Sequence, residues 1–199
     1  MNFKKRFYRT AFILIIAAGM LAMYFIGKGV FMKISYHSYE GQGFAFDYPK
    51  DWILRESRGT QEKYFQVHVF GKIDPSVGFG PSLTITVYPK KEAGGPYLSL
   101  EELIQKKNQA GHLLKGFSMT PQEDLRIAET FTGRQQESSF MLRLPLYKVN
   151  SRDVALKEKT VFFEKNNEFF VISYKNIAED FPNAEKIFEV LIRSFRFVS

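Results

Sequence analysis

The 199-residue chain contains no cysteine. That excludes disulfides, thiol nucleophiles and cysteine-ligated zinc, so any folded domain must hold itself by its core. Histidine is scarce: His37, His68 and His112 stand far apart, and no His-Glu-x-x-His or comparable ligand spacing joins them. No Gly-x-Ser-x-Gly elbow presents a serine nucleophile. Gly41-Gln42-Gly43 lacks the third glycine of a dinucleotide site, and Gly78-Phe79-Gly80 lacks the lysine–hydroxyl pair of a phosphate loop. No acidic residue precedes Ile34, and no internal repeat or interdomain linker is visible.

What the N-terminus does have is an uncharged run from Thr10 to Gly27 behind a basic cluster of Lys4, Lys5, Arg6 and Arg9. As a helix this run spans roughly 27 Å, close to a hydrocarbon core of about 30 Å, with Arg9 and Lys28 placed to snorkel at its ends. Tyr8 and Tyr24–Phe25 sit at the two edges, where aromatic rings favour the interface. The spacing predicts a cytoplasmic N-terminus over residues 1–9, a transmembrane signal anchor over 10–32, a connector over 33–42 and a globular domain over 43–199. The basic cluster orients the N-terminus to the cytoplasm and the domain to the extracytoplasmic side, in the periplasm or at the cell surface. A cleaved signal peptide and a buried soluble helix are the alternatives; the first has a shorter apolar region and the second shows polar residues every third or fourth position.

The net charge of +7 belongs to this topology signal. Six basic residues lie before Ile34, and the rest of the chain is close to neutral. A nucleic-acid partner is therefore not expected, because the domain carries no excess of positive charge for phosphates.

Within the domain, Phe44, Phe46 and Tyr48 alternate up to the strand-ending Pro49, and Trp52 beside it is expected to pack at least partly. Lys63 to Phe70 reads as a strand with Phe65, Val67 and Val69 on one face and Tyr64, Gln66, His68 and Phe70 on the other. Ser82 to Tyr88 sets Leu83, Ile85 and Val87 against Thr84, Thr86 and Tyr88. Ser99 with Glu102 has capping-box spacing and starts a helix that Leu113–Leu114 extend toward a stop at Gly116. Two strands, Leu125 to Thr130 and Gln135 to Leu144, are expected to turn at Thr132-Gly133. Leu156 to Glu164 and Phe169 to Lys175 form a hairpin through Asn166-Asn167, residues that tolerate positive φ, and apolar residues on both their faces place them in a sheet covered on both sides. A helix over Pro182 to Arg193, with Ile187, Val190 and Leu191 as its inner stripe and Phe188 alongside, precedes a terminal strand at Ser194 to Val198. Hairpins with two well-separated helices give an α+β fold, an antiparallel β-sheet flanked by helices.

Two stretches carry a family resemblance. Gly43-Phe44-Ala45-Phe46-Asp47-Tyr48-Pro49-Lys50-Asp51-Trp52 and Asn167-Glu168-Phe169-Phe170-Val171-Ile172-Ser173-Tyr174, the latter followed by helix and Ser194-Phe195-Arg196-Phe197, together resemble the PsbP family. The order and spacing cover nearly the whole of the domain. The resemblance implies an α-β-α sandwich around an antiparallel sheet. It also implies a non-enzymatic accessory or binding role, as in the plant subunit that helps photosystem II retain calcium and chloride, or the related import factor that binds a small GTPase. The N-terminal anchor departs from the plant pattern, and no ion-related residue of the family is matched here.

The chain thus reads as a membrane-anchored extracytoplasmic accessory module, not an enzyme, with no cofactor. Its partners are the membrane, through the N-terminal helix, and an unknown protein. An enzyme with an unrecognised hydrolytic site and an accessory protein that binds calcium or a transition metal are the competing readings. Their candidate residues are His37 with Glu40, the nearest histidine–carboxylate pair, and His68, mid-strand on a polar face. Glu101–Glu102 is read as capping and helix-dipole chemistry, and Tyr64, Phe70, Tyr88 and Tyr174 as core.

Overall fold

The computed structural model describes residues 34–59, 63–127, 131–144 and 152–198. The expected membrane segment lies outside the described residues; no described helix is long and apolar enough to cross a membrane.

A compact unit runs from Tyr36 to Ser199, so it begins within the expected connector and not at 43. The reason is strand β1 (Tyr36–Gly41), which pairs antiparallel with β2 (Phe44–Pro49). Gln42 and Gly43, at φ 52° and 79°, make the tight turn between them. The terminal strand β11 (Arg196–Phe197) joins the other edge of β2, completing a three-stranded sheet.

The main sheet is larger. It comprises β3 (Ile53–Gly59), β4 (Tyr64–Phe70), β5 (Ser82–Pro89), β6 (Lys115–Met119), β7 (Glu123–Ile127), β8 (Phe131–Leu144), β9 (Arg152–Lys165) and β10 (Glu168–Ile177). Its order is β3-β4-β5-β10-β9-β8-β6, with β7 also paired to β8. All of these pairings are antiparallel. The β9–β10 hairpin turns through Asn166 and Asn167, both at positive φ (52° and 65°), as their chemistry leads one to expect.

One face of the main sheet is apolar throughout its middle. Val67, Val69, Leu83, Ile85, Phe163, Phe170 and Ile172 pack there against Ile187, Phe188, Leu191 and Ile192 of helix α2 (Phe181–Ser194) and against Phe44, Phe46 and Phe195. Ser194 locks the end of α2 onto the small sheet: its hydroxyl accepts from the Asp47 amide at 2.9 Å and donates to the Leu191 carbonyl at 3.1 Å. The other face is covered at one end by helix α1 (Leu100–Gly111), whose Leu103 and Ile104 sit on Tyr88, Phe162, Phe169 and Val171. At the opposite end the loop after β4 lays Val77 and Phe79 against Phe140, Val154 and Leu156. This is the expected antiparallel sheet with a helix on each face.

Three local expectations are corrected. Helix α1 stops at Gly111, and Leu113 is 87 % exposed, so Leu113–Leu114 do not extend it. The chain instead turns back into β6. Thr132-Gly133 is not a turn but part of the 14-residue strand β8. A Cβ at Gly133 would come within 2.9 Å of the Phe162 carbonyl oxygen and 2.7 Å of Ile127 Cδ1, so close packing, not chain reversal, requires the glycine. Finally, Ile192 of α2 is buried while Val190 is only half-buried, which rotates the inner stripe slightly from the expected one.

Candidate functional site

The expected candidates part company in the structure. His37 is exposed on β1 opposite Tyr48, its ring 6.0 Å from the tyrosine ring, and the strand that holds it replaces the loose connector expected there. Glu40 is three residues further along the same strand, so the two side chains alternate to opposite faces. The pair is not brought together. Glu102 does cap α1: Ser99 Oγ accepts from its amide at 3.2 Å, and its own carboxylate accepts from the Leu98 amide at 2.8 Å. Glu101 pairs with Arg134 at 2.9 Å. Among the described residues no three histidine, aspartate or glutamate side chains converge as a metal site would need.

His68 has a more informative setting. Its Nε2–H donates to Gln66 Oε1 at 2.8 Å, and the Gln66 amide donates in turn to Thr86 Oγ1 at 2.9 Å. This leaves Nδ1 to accept from the Thr84 hydroxyl at 3.2 Å. The Phe70 ring stacks on the imidazole with centroids 5.6 Å apart. Both ring nitrogens are thus held by neutral partners, and burial depresses the pKa below the ordinary histidine value. Unfolding restores the ordinary value of about 6.5. The stability associated with neutral His68 is therefore fully present above that pH and is lost as pH falls through the lower, folded value. An NMR titration of the ring protons is expected to give a midpoint below about 6.5; a midpoint at or above it contradicts this environment.

Register extends the pattern beyond what one strand reveals. Arg55 of β3 stands opposite His68, His68 opposite Thr84, Thr84 opposite Ser173, Ser173 opposite Thr160 and Thr160 opposite Gln136. One continuous polar row therefore crosses six strands on the face that α1 and the β4–β5 loop only partly cover. The Thr84 and Thr86 alternation and the polar side of β4 were readable as sequence. The alignment of those residues with Ser173, Thr160 and Gln136 was not, because it depends on strand order.

At the Arg55 end the row opens into a cleft of about 630 Å³. Its walls come from β3 and β4 and from the loop that follows: Ile53, Phe70, Ile73, Phe79 and Pro81. Ile53, Phe70 and Ile73 are 61, 40 and 60 % exposed. Single exposed apolar residues are ordinary, but their grouping in one concavity is not. Arg55 and Lys72 stand in the same lining, which contains no acidic residue, and neither makes an ion pair among the described residues. Of the aromatic residues read as core, Tyr88 and Tyr174 are buried, whereas Phe70 belongs to this cleft.

No family model matches the chain, and no curated protein matches it. Several solved structures are similar. LpqN of Mycobacterium tuberculosis, described as involved in cell envelope biogenesis, has 13 % identity and a TM-score of 0.49 over 84 % of this chain and 92 % of its own. The Ran-binding protein Mog1p of Saccharomyces cerevisiae has 11 % identity and a TM-score of 0.48 over 84 % of this chain and 97 % of its own. The cyanobacterial PsbP of Synechocystis has 13 % identity and a TM-score of 0.47 over 85 % of this chain and 96 % of its own, so a PsbP protein stands among the structures this chain resembles.

Proposed function

We propose that this chain is a membrane-tethered accessory protein whose domain stands on the extracytoplasmic side and works by binding a protein partner, without catalysis. The tether and orientation rest on the apolar run and its basic flank in the sequence. The binding role rests on the cleft, where exposed Ile53, Phe70 and Ile73 are grouped beside two cations, and the lining they share contains no acidic residue.

The same geometry selects the occupant. Strand β3 is the outermost strand of the main sheet, so backbone groups on its open side are unpaired within the sheet. An extended peptide segment satisfies such an edge while alternate side chains enter the adjoining pocket. The apolar lining calls for apolar side chains, and Arg55 with Lys72 calls for an acidic residue beside them. The partner segment is therefore extended, apolar and acidic. The neutral hydrogen-bonded setting of His68 supports the non-catalytic part of the reading, since no carboxylate orients or charges its imidazole.

The test is affinity capture of the full chain from solubilised membranes, wild type against Arg55→Glu/Lys72→Glu. Both positions are at the surface, so the fold is expected to tolerate the change. A partner held by the cleft is expected to be recovered at least about tenfold less with the reversed charges. Equal recovery by both forms overturns the assignment.

A further inference from the structure

The other end of the polar row runs beneath the C-terminal part of α1. There it enters a second cavity, of about 330 Å³, roofed by the helix and by Leu114 and Phe117. A sheet face under a helix is ordinarily apolar, because that burial is what holds the helix down. The first two turns of α1 obey this rule, with Leu103 and Ile104 buried on Phe162 and Val171. One turn further on, the floor changes to Gln136, Thr160 and Ser173, with Ser138 beside them.

These groups line a recess that stays open to water, with Ser138 and Ser173 half-buried. Thr160 is 9 % exposed and Gln136 7 %. The Gln136 amide donates to Asn108 Oδ1 of α1 at 2.7 Å. The hydroxyls of Thr160, Ser173 and Ser138 have no hydrogen-bond partner among the described residues. None of these hydroxyls is sealed from solvent, so water satisfies them in the free chain, and a ligand that enters must replace those bonds with its own.

The remaining walls narrow what such a ligand is. Phe117, Phe140 and Phe162 line the cavity, so part of the occupant is apolar. The charged residues of its lining are Glu158, 3.7 Å from Lys175 and countered by it, and Lys107, which is itself engaged with a partner. A charged ligand thus finds no unmatched charge there. Three hydroxyls and a carboxamide offer both donors and acceptors, which suits a ligand that itself carries several hydroxyls. A pyranose has that form: hydroxyls around its rim and a C–H face that lies on aromatic rings. The volume is at the small end of the range for ligand pockets, enough for a compact ring and not for a long chain. We infer that this cavity is a binding site for a neutral sugar, with Thr160, Ser173 and Gln136 as its hydrogen-bonding floor and the phenylalanines as its apolar wall.

The site is separate from the cleft, so the two can be tested apart. The full chain, purified in a detergent without a sugar head group, is titrated with maltose, cellobiose and N,N′-diacetylchitobiose at millimolar concentrations. Saturation-transfer NMR on the sugar C–H protons is the readout. At least one disaccharide is expected to receive saturation, and Thr160→Val, which keeps the side-chain shape and removes the hydroxyl, is expected to weaken its binding about 3- to 10-fold. Ser173→Ala provides the second variant should Thr160→Val fold poorly, and far-ultraviolet circular dichroism checks both. Capture of a protein partner through the cleft should be unchanged in either. The inference is overturned if none of the three sugars receives saturation, leaving a cavity that holds water only. It is equally overturned if sugar binding persists unchanged in correctly folded Thr160→Val and Ser173→Ala.

Discussion

Phe170→Ala is expected to lower the unfolding free energy of the domain by about 3–5 kcal/mol, the range for deleting a large buried aromatic side chain. Phe170 is 1 % exposed at the centre of the main sheet. Its ring stacks on Phe163 at 4.9 Å and meets Phe44, Phe195 and Phe197 edge-on at 6.0, 6.1 and 5.3 Å. Those partners come from β9, β2 and the two sides of the α2–β11 junction. The residue therefore joins the main sheet, the small sheet and the C-terminus in one cluster. Rings on all sides cannot collapse far into the space it leaves, so the loss should fall in the upper part of the large-to-small range. Urea unfolding of the Tyr36–Ser199 unit gives the number directly. A loss below about 1 kcal/mol means the two sheets do not pack as described.

Leu191→Ala is expected to remove about 2–5 kcal/mol. Leu191 is fully buried on α2, whose packing between β2 and β10 covers the apolar face of the main sheet. The next turn ends at Ser194, tied to β2 through the Asp47 amide, so the helix cannot easily shift to fill a cavity. The same urea experiment checks it. A loss below about half a kcal/mol puts the inner stripe of α2 on other residues.

These two positions were reachable from the sequence because local pattern and tertiary demand agree there. Period-2 alternation in Ser82 to Tyr88, the double-sided apolar runs before and after Asn166-Asn167, and the Ile187–Leu191 stripe each state their own environment. Trp52, expected to pack beside the strand-ending Pro49, is 9 % exposed. The misreadings have a common cause. Gly133 looks like a turn residue, but its need for glycine comes from the carbonyl of Phe162, a residue 29 positions away in sequence. Leu113 and Leu114 look like a continuing helical stripe, but β6 pairing with β8 takes over after Gly111. The expected connector around His37 is a strand because Phe44 to Pro49 supplies its pairing partner.

The candidate sites were legible only in part for the same reason. His68 was singled out as a polar residue on a polar strand face, and its hydrogen bonds to Gln66 and Thr84 follow from that face and from one neighbouring strand. The cleft needs Ile53 and Arg55 of β3, Phe70 of β4 and Ile73 and Lys72 of the following loop in one place. None of these is unusual in its own segment. The loop residues in particular read as punctuation between strands, since Gly and Pro dominate that stretch and mask its apolar members.

The central claim is that the cleft between β3 and the β4–β5 loop receives an extended, apolar and acidic segment of a protein partner. Photo-crosslinking in intact cells tests it most directly. A photoreactive amino acid is placed at Ile73, inside the cleft, and in a control chain at Glu189, on the exposed side of α2. The account predicts a discrete adduct from position 73 whose linked peptide contains Asp or Glu beside apolar residues. It also predicts that Arg55→Glu/Lys72→Glu abolishes this adduct and that position 189 does not produce it. The same adduct from position 189 but not from 73, or an adduct at 73 indifferent to the reversed charges, would contradict the account.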